Sequence, residues 1–173
     1  MQLTEYILGQ VEFKNWSNKI GFETLVKFDP DELIKNRNTK FKNILGTLNH
    51  IYVVEDIFKS HLTGQSHNYT GLNTNRHPSL AELISKQSQM DEWYYNYVLQ
   101  LTDKTLHENI HFKFQDGTNG EMSKLQILTH IITHDTFHKG FVNEMVYKIP
   151  SNMPNNDYPV FVRDILNKAS IPM

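Results

Sequence analysis

Cysteine is absent from all 173 residues. That one gap excludes disulfides, a thiolate nucleophile, cysteine-ligated zinc and iron–sulfur chemistry together. No apolar run is long enough to span a membrane, and the opening residues, MQLTEYILGQVEFKNW, carry no basic leader. An excess of either charge is also missing: 17 Lys and Arg against 19 Asp and Glu leave −2. The basic residues are scattered, so no nucleic-acid surface is expected. These absences describe a cytoplasmic, single-domain protein over residues 1–173, with no membrane or nucleic-acid partner and enough chain to bury a core.

What the chain does contain is helical periodicity. Leu3, Ile7, Val11, Trp16 and Ile20 are spaced for a helix from 3 to about 25. Asp29-Pro30-Asp31-Glu32 sets a cap, a proline at the first helical position and acids in the first turn, which predicts a short helical turn or an extended connection. A second long helix is predicted from about 40 to 62. Residues 63 to 78 are polar, rich in Gly and Asn, and end in Pro; a loop that long is expected to be functional or mobile. Ser79 and Glu82 form a capping box that opens a third helix through about Leu99, with Leu83, Met90, Trp93, Tyr94 and Tyr97 facing inward. IHFKFQ then alternates apolar and polar before the turn signals of DGTNG, the pattern of a short β-hairpin or extended excursion. A fourth long helix is predicted from about Met122 to Pro150, and Asp157-Tyr158-Pro159 starts a short last one to about Lys168. The sum is an all-α four-helix bundle, a fold that builds ligand sites between facing helices.

The chemistry concentrates in Leu125 to Met145, LQILTHIITHDTFHKGFVNEM. His130, His134 and His138 follow one another at intervals of four, one face of a helix. The apolar stripe Ile127, Ile131, Phe141 and Met145 runs through His134 and His138, which puts two imidazoles where Leu or Ile would pack better. Paired histidines at this spacing converge on one metal ion in helical zinc sites; buried, hydrogen-bonded core histidines are the competing reading. Asp135, Thr136 and Phe137 lie between them, so the internal Glu of a zincin protease is missing. On the second helix His50 falls inside the apolar arc with Ile51, Val54, Ile57 and Phe58. Alone it reads as a core histidine, but it is also a candidate third ligand. Glu55 leans to the same side and is a candidate hydrogen-bond acceptor for a ligating imidazole, or else reaches solvent at the rim. Lys139 is read as a solvated surface lysine rather than an anion-attracting group, and the histidines at 61, 67, 77 and 107 as surface residues. A di-iron carboxylate site needs two Glu-x-x-His motifs on helices. One such motif occurs, Glu108 to His111, and it falls in the predicted hairpin.

Three blocks in order resemble the DinB family, the DinB/YfiT-like metalloenzymes. Phe13-Lys14-Asn15-Trp16-Ser17-Asn18 is similar to YNxWAN, Gly46-Thr47-Leu48-Asn49-His50-Ile51 through Asp56-Ile57-Phe58 to GTLNHLLxADRIW, and Thr133 through Gly140 to NHxxxHRGQ. Lys139 and Phe141 stand where the last pattern has Arg and Gln. The resemblance implies an up-down-down-up bundle, often homodimeric, with a divalent nickel or zinc ion held by His50, His134 and His138, and a packing or supporting role for His130.

Three neutral nitrogen donors leave positions open for water or substrate, the arrangement of catalytic sites. Two enzyme classes follow. One is a thiol-dependent S-transferase, as in relatives that use bacillithiol or mycothiol; lacking cysteine, this chain would need such a low-molecular-weight thiol as cofactor. The other is a metal-hydroxide hydrolase acting on a small-molecule substrate, with Glu55 or Tyr52 assisting. A metal-binding stress-response protein without turnover is the alternative, and a plain helical bundle with buried histidines the third.

Overall fold

The computed structural model of the protein describes residues 2–150 and 152–169. Four long helices form its frame: α1 (Leu3–Leu25), α3 (Ile44–Thr63), α4 (Leu80–Leu99) and α6 (Lys124–Val146). α1 and α3 each pack against both α4 and α6. Short helices α2 (Pro30–Ile34) and α5 (Asp103–Leu106) fill connections, and β1 (Asn109–Lys113) pairs antiparallel with β2 (Asn119–Ser123). The end of the described chain is α7 (Tyr158–Phe161), a π-helical turn (Val162–Leu166) and α8 (Asn167–Ala169). No described helix is long and apolar enough to cross a membrane.

Local chemistry sets the boundaries. Asp29 caps α2 by accepting from the Asp31 N–H, with Pro30 at the first helical position. Ser79 and Glu82 exchange hydrogen bonds at the start of α4. Gly64 ends α3 at φ 66°, a left-handed conformation that a side chain disfavours. Asp103, at the start of α5, accepts from the Leu3 and Thr4 N–H groups and so supplies α1 with the anion its N-terminus favours. Two long helices begin later than their apolar patterns suggest. Ser123 and Gln126 form the capping box of α6, because residues 119–123 are held in the hairpin ladder. α3 begins at Ile44, capped by Asn43, because Asn38 and Lys42 take positive φ (55° and 69°) and fold 35–43 into an irregular strap.

The apolar core forms two clusters, one around Val54, Tyr94 and Ile131, the other around Ile44, Leu83 and Met145. Charge occupies the middle of the bundle. Lys14 of α1 is 1% exposed and Glu55 of α3 0% exposed. Lys14 Nζ lies 2.6 Å from Asp91 Oδ1 of α4 and 3.1 Å from Glu55 Oε2. Gln87 Nε2 donates to both carboxylates, at 2.8 Å to Glu55 and 2.9 Å to Asp91, and Asn18 donates to both Asp91 oxygens at 3.0 Å. On α6, Asp135 is buried and pairs with Lys139 at 2.6 Å; Lys139 in turn reaches the Lys14 carbonyl. This corrects two sequence expectations. The inward stripe of α6 runs Ile131, Asp135, His138, Val142, Met145, so a carboxylate holds the central position, while Phe141 is exposed. Lys139 belongs to the buried ion cluster rather than to the solvated surface.

Burial sets the electrostatics here. It would lower the Lys14 pKa, but Asp91, Glu55 and Asp135 outweigh it and hold the ammonium well above its ordinary value. Glu55 is pushed up to about 7 by burial, against the pull of Lys14. Asp135 is likewise raised by burial, opposed by Lys139 and Lys14. Removing Lys14 would leave Glu55 and Asp91 without their counter-charge. Lys14→Met is therefore expected to cost about 3–5 kcal/mol in urea denaturation, although methionine fills similar volume. A loss below about 1 kcal/mol would show that the cluster is not holding the helices together.

Candidate metal centre

His50 sits on α3, and His134 and His138 on adjacent turns of α6, where these two helices pack face to face. The structure brings all three together. Ring centroids lie 4.9 Å (His50–His134), 4.6 Å (His50–His138) and 4.4 Å (His134–His138) apart. One ring nitrogen from each falls within 4.8 Å of the other two. His50 and His138 are buried and His134 is partly buried.

One imidazole is fixed in tautomer as well as position. His50 Nδ1 lies 2.6 Å from the Leu72 carbonyl oxygen, which can only accept, so Nδ1 carries the proton and Nε2 presents its lone pair. Leu72 belongs to the polar connection between α3 and α4, and that connection is stitched to α3. Asn49 Nδ2 donates to Asn73 Oδ1 and to Thr74 Oγ1, Asn73 Nδ2 donates to the Gly46 carbonyl, and the Tyr69 hydroxyl donates to Asp56. The expected function of the long loop is thus concrete: it orients a histidine. On the other side Phe41 stacks on the His50 ring at 4.0 Å and meets His138 edge-on at 5.6 Å.

The donor set fits a divalent ion. Nε2 of His134 lies 3.1 Å from Nε2 of His50. Two nitrogens bound at about 2.0–2.1 Å to a tetrahedral metal would stand about 3.3 Å apart, so little movement is needed. Nδ1 of His134 and of His138 are buried without a hydrogen-bond partner. Burial chiefly, then the neighbouring imidazoles, lowers His134 to about 3; burial, then His50 and Lys40, lowers His138 to about 4. His50 is also lowered, by burial first, against the Leu72 hydrogen bond. The rings are kept neutral, the state that offers lone pairs to a cation.

The other candidates fall elsewhere. Glu55 is committed to Lys14 and Gln87, so the acceptor beside His50 is the Leu72 carbonyl rather than this carboxylate. Tyr52 lies two residues beyond His50, on the far side of α3, where Lys86 of α4 stands 5.6 Å over its ring. His130 packs at 4.7 Å from Phe58 and 5.3 Å from His134, a packing role. His61, expected at the surface, is partly buried and stacked on Phe112 at 4.5 Å.

The family model for the DinB family matches residues 2–164. The chain belongs to the DinB family. Its fold is similar to the crystal structure of a DinB-like protein from Bacillus cereus, at 16% identity and a TM-score of 0.61, over 87% of this chain and 96% of that one. No curated protein matches the sequence. Against the DinB pattern, the Phe in place of Gln at 141 puts an exposed aromatic ring 5.8 Å from His138.

Sequence reasoning missed Leu72, Phe41 and Asn49 as supports of this DinB centre. A backbone carbonyl leaves no mark in a sequence. Asn49 lies about 100° from His50 and outside its apolar arc, so helical periodicity gave it no role.

Two outcomes follow. In the metal-free protein, His134 and His138 should stay neutral at pH 5, where a free imidazole is mostly protonated; imidazole NMR shifts check this. Protons then compete with a metal only as the pH falls through about 4 and about 3, so titration midpoints near 6.5 would refute the buried cluster. Gly46 tests its support. An alanine Cβ there would run into the Phe41 carbonyl, the backbone that carries the ring stacked on His50. Helix propensity alone would make Gly46→Ala stabilising by about 0.5–1 kcal/mol. The backbone clash should reverse the sign, with a loss of about 1–3 kcal/mol in denaturant unfolding.

Proposed function

We propose that this protein is a metal-dependent enzyme in which His50, His134 and His138 hold one nickel or zinc ion and a small molecule reacts beside it. The observation that carries the reading is the convergence of three neutral imidazoles, one of them fixed in tautomer by the Leu72 carbonyl. Three nitrogen donors, with no fourth protein ligand among the described residues, leave room for an exchangeable group, whereas a purely structural zinc site is closed by four. A bound divalent ion would supply Lewis acidity, lowering the pKa of a bound water or thiol.

The chain's own residues do the rest. Leu72 and Phe41 hold the His50 ring, and α6 sets the spacing of His134 and His138. The ion cluster around Lys14 keeps α3 and α6 aligned. The two reaction classes are thiol-dependent S-transfer and hydrolysis by a metal hydroxide. Without cysteine, the first requires a low-molecular-weight thiol from solution. A small-molecule substrate, a cytoplasmic location and a homodimer belong to the same proposal.

Elemental analysis of untagged protein tests it, beside His50→Ala and His134→Ala. About one equivalent of nickel or zinc per chain in the wild type, lost in both variants, is the expected result. Substrate-dependent elevation of Tm in the loaded protein then separates an enzyme from a metal-binding protein without turnover. A wild type that is metal-free and cannot be reloaded would leave a helical bundle with buried histidines.

A further inference from the structure

Two phenylalanines next to the histidine cluster contribute little to the core. Phe137 is 63% exposed and Phe141 45% exposed, and their rings meet edge-to-face at 5.0 Å. Among the exposed large apolar side chains of the described residues, this is the one pair in ring contact. Both rings also pack on His138, at 5.1 and 5.8 Å, and Phe41 meets His138 edge-on at 5.6 Å. The cluster thus has aromatic walls contributed by α6 and by the strap before α3.

The charge beside these walls is positive. Lys40 is exposed, lies over the Phe41 ring at 5.5 Å and has no carboxylate partner among the described residues. Its ammonium acts on both His50 and His138. The buried acids of the two helices that carry the cluster are engaged elsewhere: Asp135 pairs with Lys139, and Glu55 with Lys14. A divalent ion on three neutral imidazoles would add two further positive charges, with no carboxylate of the described residues in the ligand cluster.

We propose that the Phe41, Phe137 and Phe141 rings together with Lys40 form the substrate-selecting wall of the histidine cluster, and that they take an aromatic carboxylate. The carboxylate faces Lys40 and the cluster, while the aromatic body packs on Phe137 and Phe141. Ring-on-ring contact favours an aryl group over a short alkyl one, and the unpaired cation favours an anion over a neutral analogue. The inference rests on the metal-site reading for the cluster's charge, but the wall consists of this chain's own residues.

Calorimetric binding to zinc-loaded protein tests it with three probes: phenylacetate, acetate and 2-phenylethanol. Phenylacetate should bind at least about tenfold more tightly than either of the others, a difference of about 1.4 kcal/mol. Phe137→Ala/Phe141→Ala should reduce phenylacetate to the acetate level and leave acetate unchanged. Lys40→Gln should reduce it to the level of 2-phenylethanol. Zinc content of the same samples separates the two readings. Full zinc with three equal affinities overturns the wall and leaves the metal site standing. Selectivity retained by protein that holds no zinc supports the wall and overturns the metal site. If the double variant turns a dimer into a monomer in sedimentation without changing phenylacetate affinity, the phenylalanines cover a second copy of the chain and the proposal fails.

Discussion

A lysine without access to water is the constraint on which the rest of this structure depends. Lys14 is covered on all sides, and an ammonium in that position is tolerated only with counter-charge within hydrogen-bonding reach. Asp91 supplies it at 2.6 Å from α4 and Glu55 at 3.1 Å from α3, while Lys139 ties α6 to the Lys14 backbone. Each long helix therefore contributes to one polar layer. Leucines in those positions would hold the helices as strongly, because desolvation offsets much of the attraction in a buried ion pair. They would tolerate sliding by a turn, however, and the ion cluster does not. A shift of one helical turn, about 5.4 Å, would separate every charge from its partner.

That registry is what a three-histidine centre needs. Two of its residues lie on α6 and the third on α3, and nitrogens meant to stand about 3 Å apart cannot accommodate a slip of 5 Å. The same α6 carries both functions, with Asp135 and Lys139 each following a histidine by one residue. A step of one residue turns the helix by about 100°, so the ion pair faces the bundle centre while the imidazoles face α3. Fixing one face fixes the other.

The long helices were legible because their apolar positions repeat at helical spacing and their ends carry recognisable caps, as at Ser79 and Asp29. The histidine trio was legible for a related reason, being polar groups at positions the pattern reserves for apolar ones. The same logic hid the polar layer. Lys14, Asp91 and Asp135 are the residue types that amphipathicity assigns to water, and Glu55, which does lean inward, gives no local sign that its partner is a lysine on another helix. Ile20 and Phe141 were placed too far inward by the same assumption; one is partly buried and the other exposed. The Leu72 carbonyl and the strap bearing Phe41 are tertiary features, set by where two connections cross α3.

The two polar systems in this bundle are treated in opposite ways. Around Lys14 each buried charge faces an opposite charge, even though Glu55 Oε1 and Asp135 Oδ1 have no hydrogen-bond partner. Around His50 burial instead keeps three rings uncharged, and one nitrogen of each lies within 4.8 Å of the other two. A core built only for stability would have no use for the second arrangement, since apolar side chains would fill the same space without desolvating ring nitrogens. The contrast within one molecule is the physical argument for a ligand at the histidines. A few residues away the bundle sets each buried charge against an opposite one. Where it brings one nitrogen from each of three neutral rings within 4.8 Å instead, a cation is the partner that would bind all three.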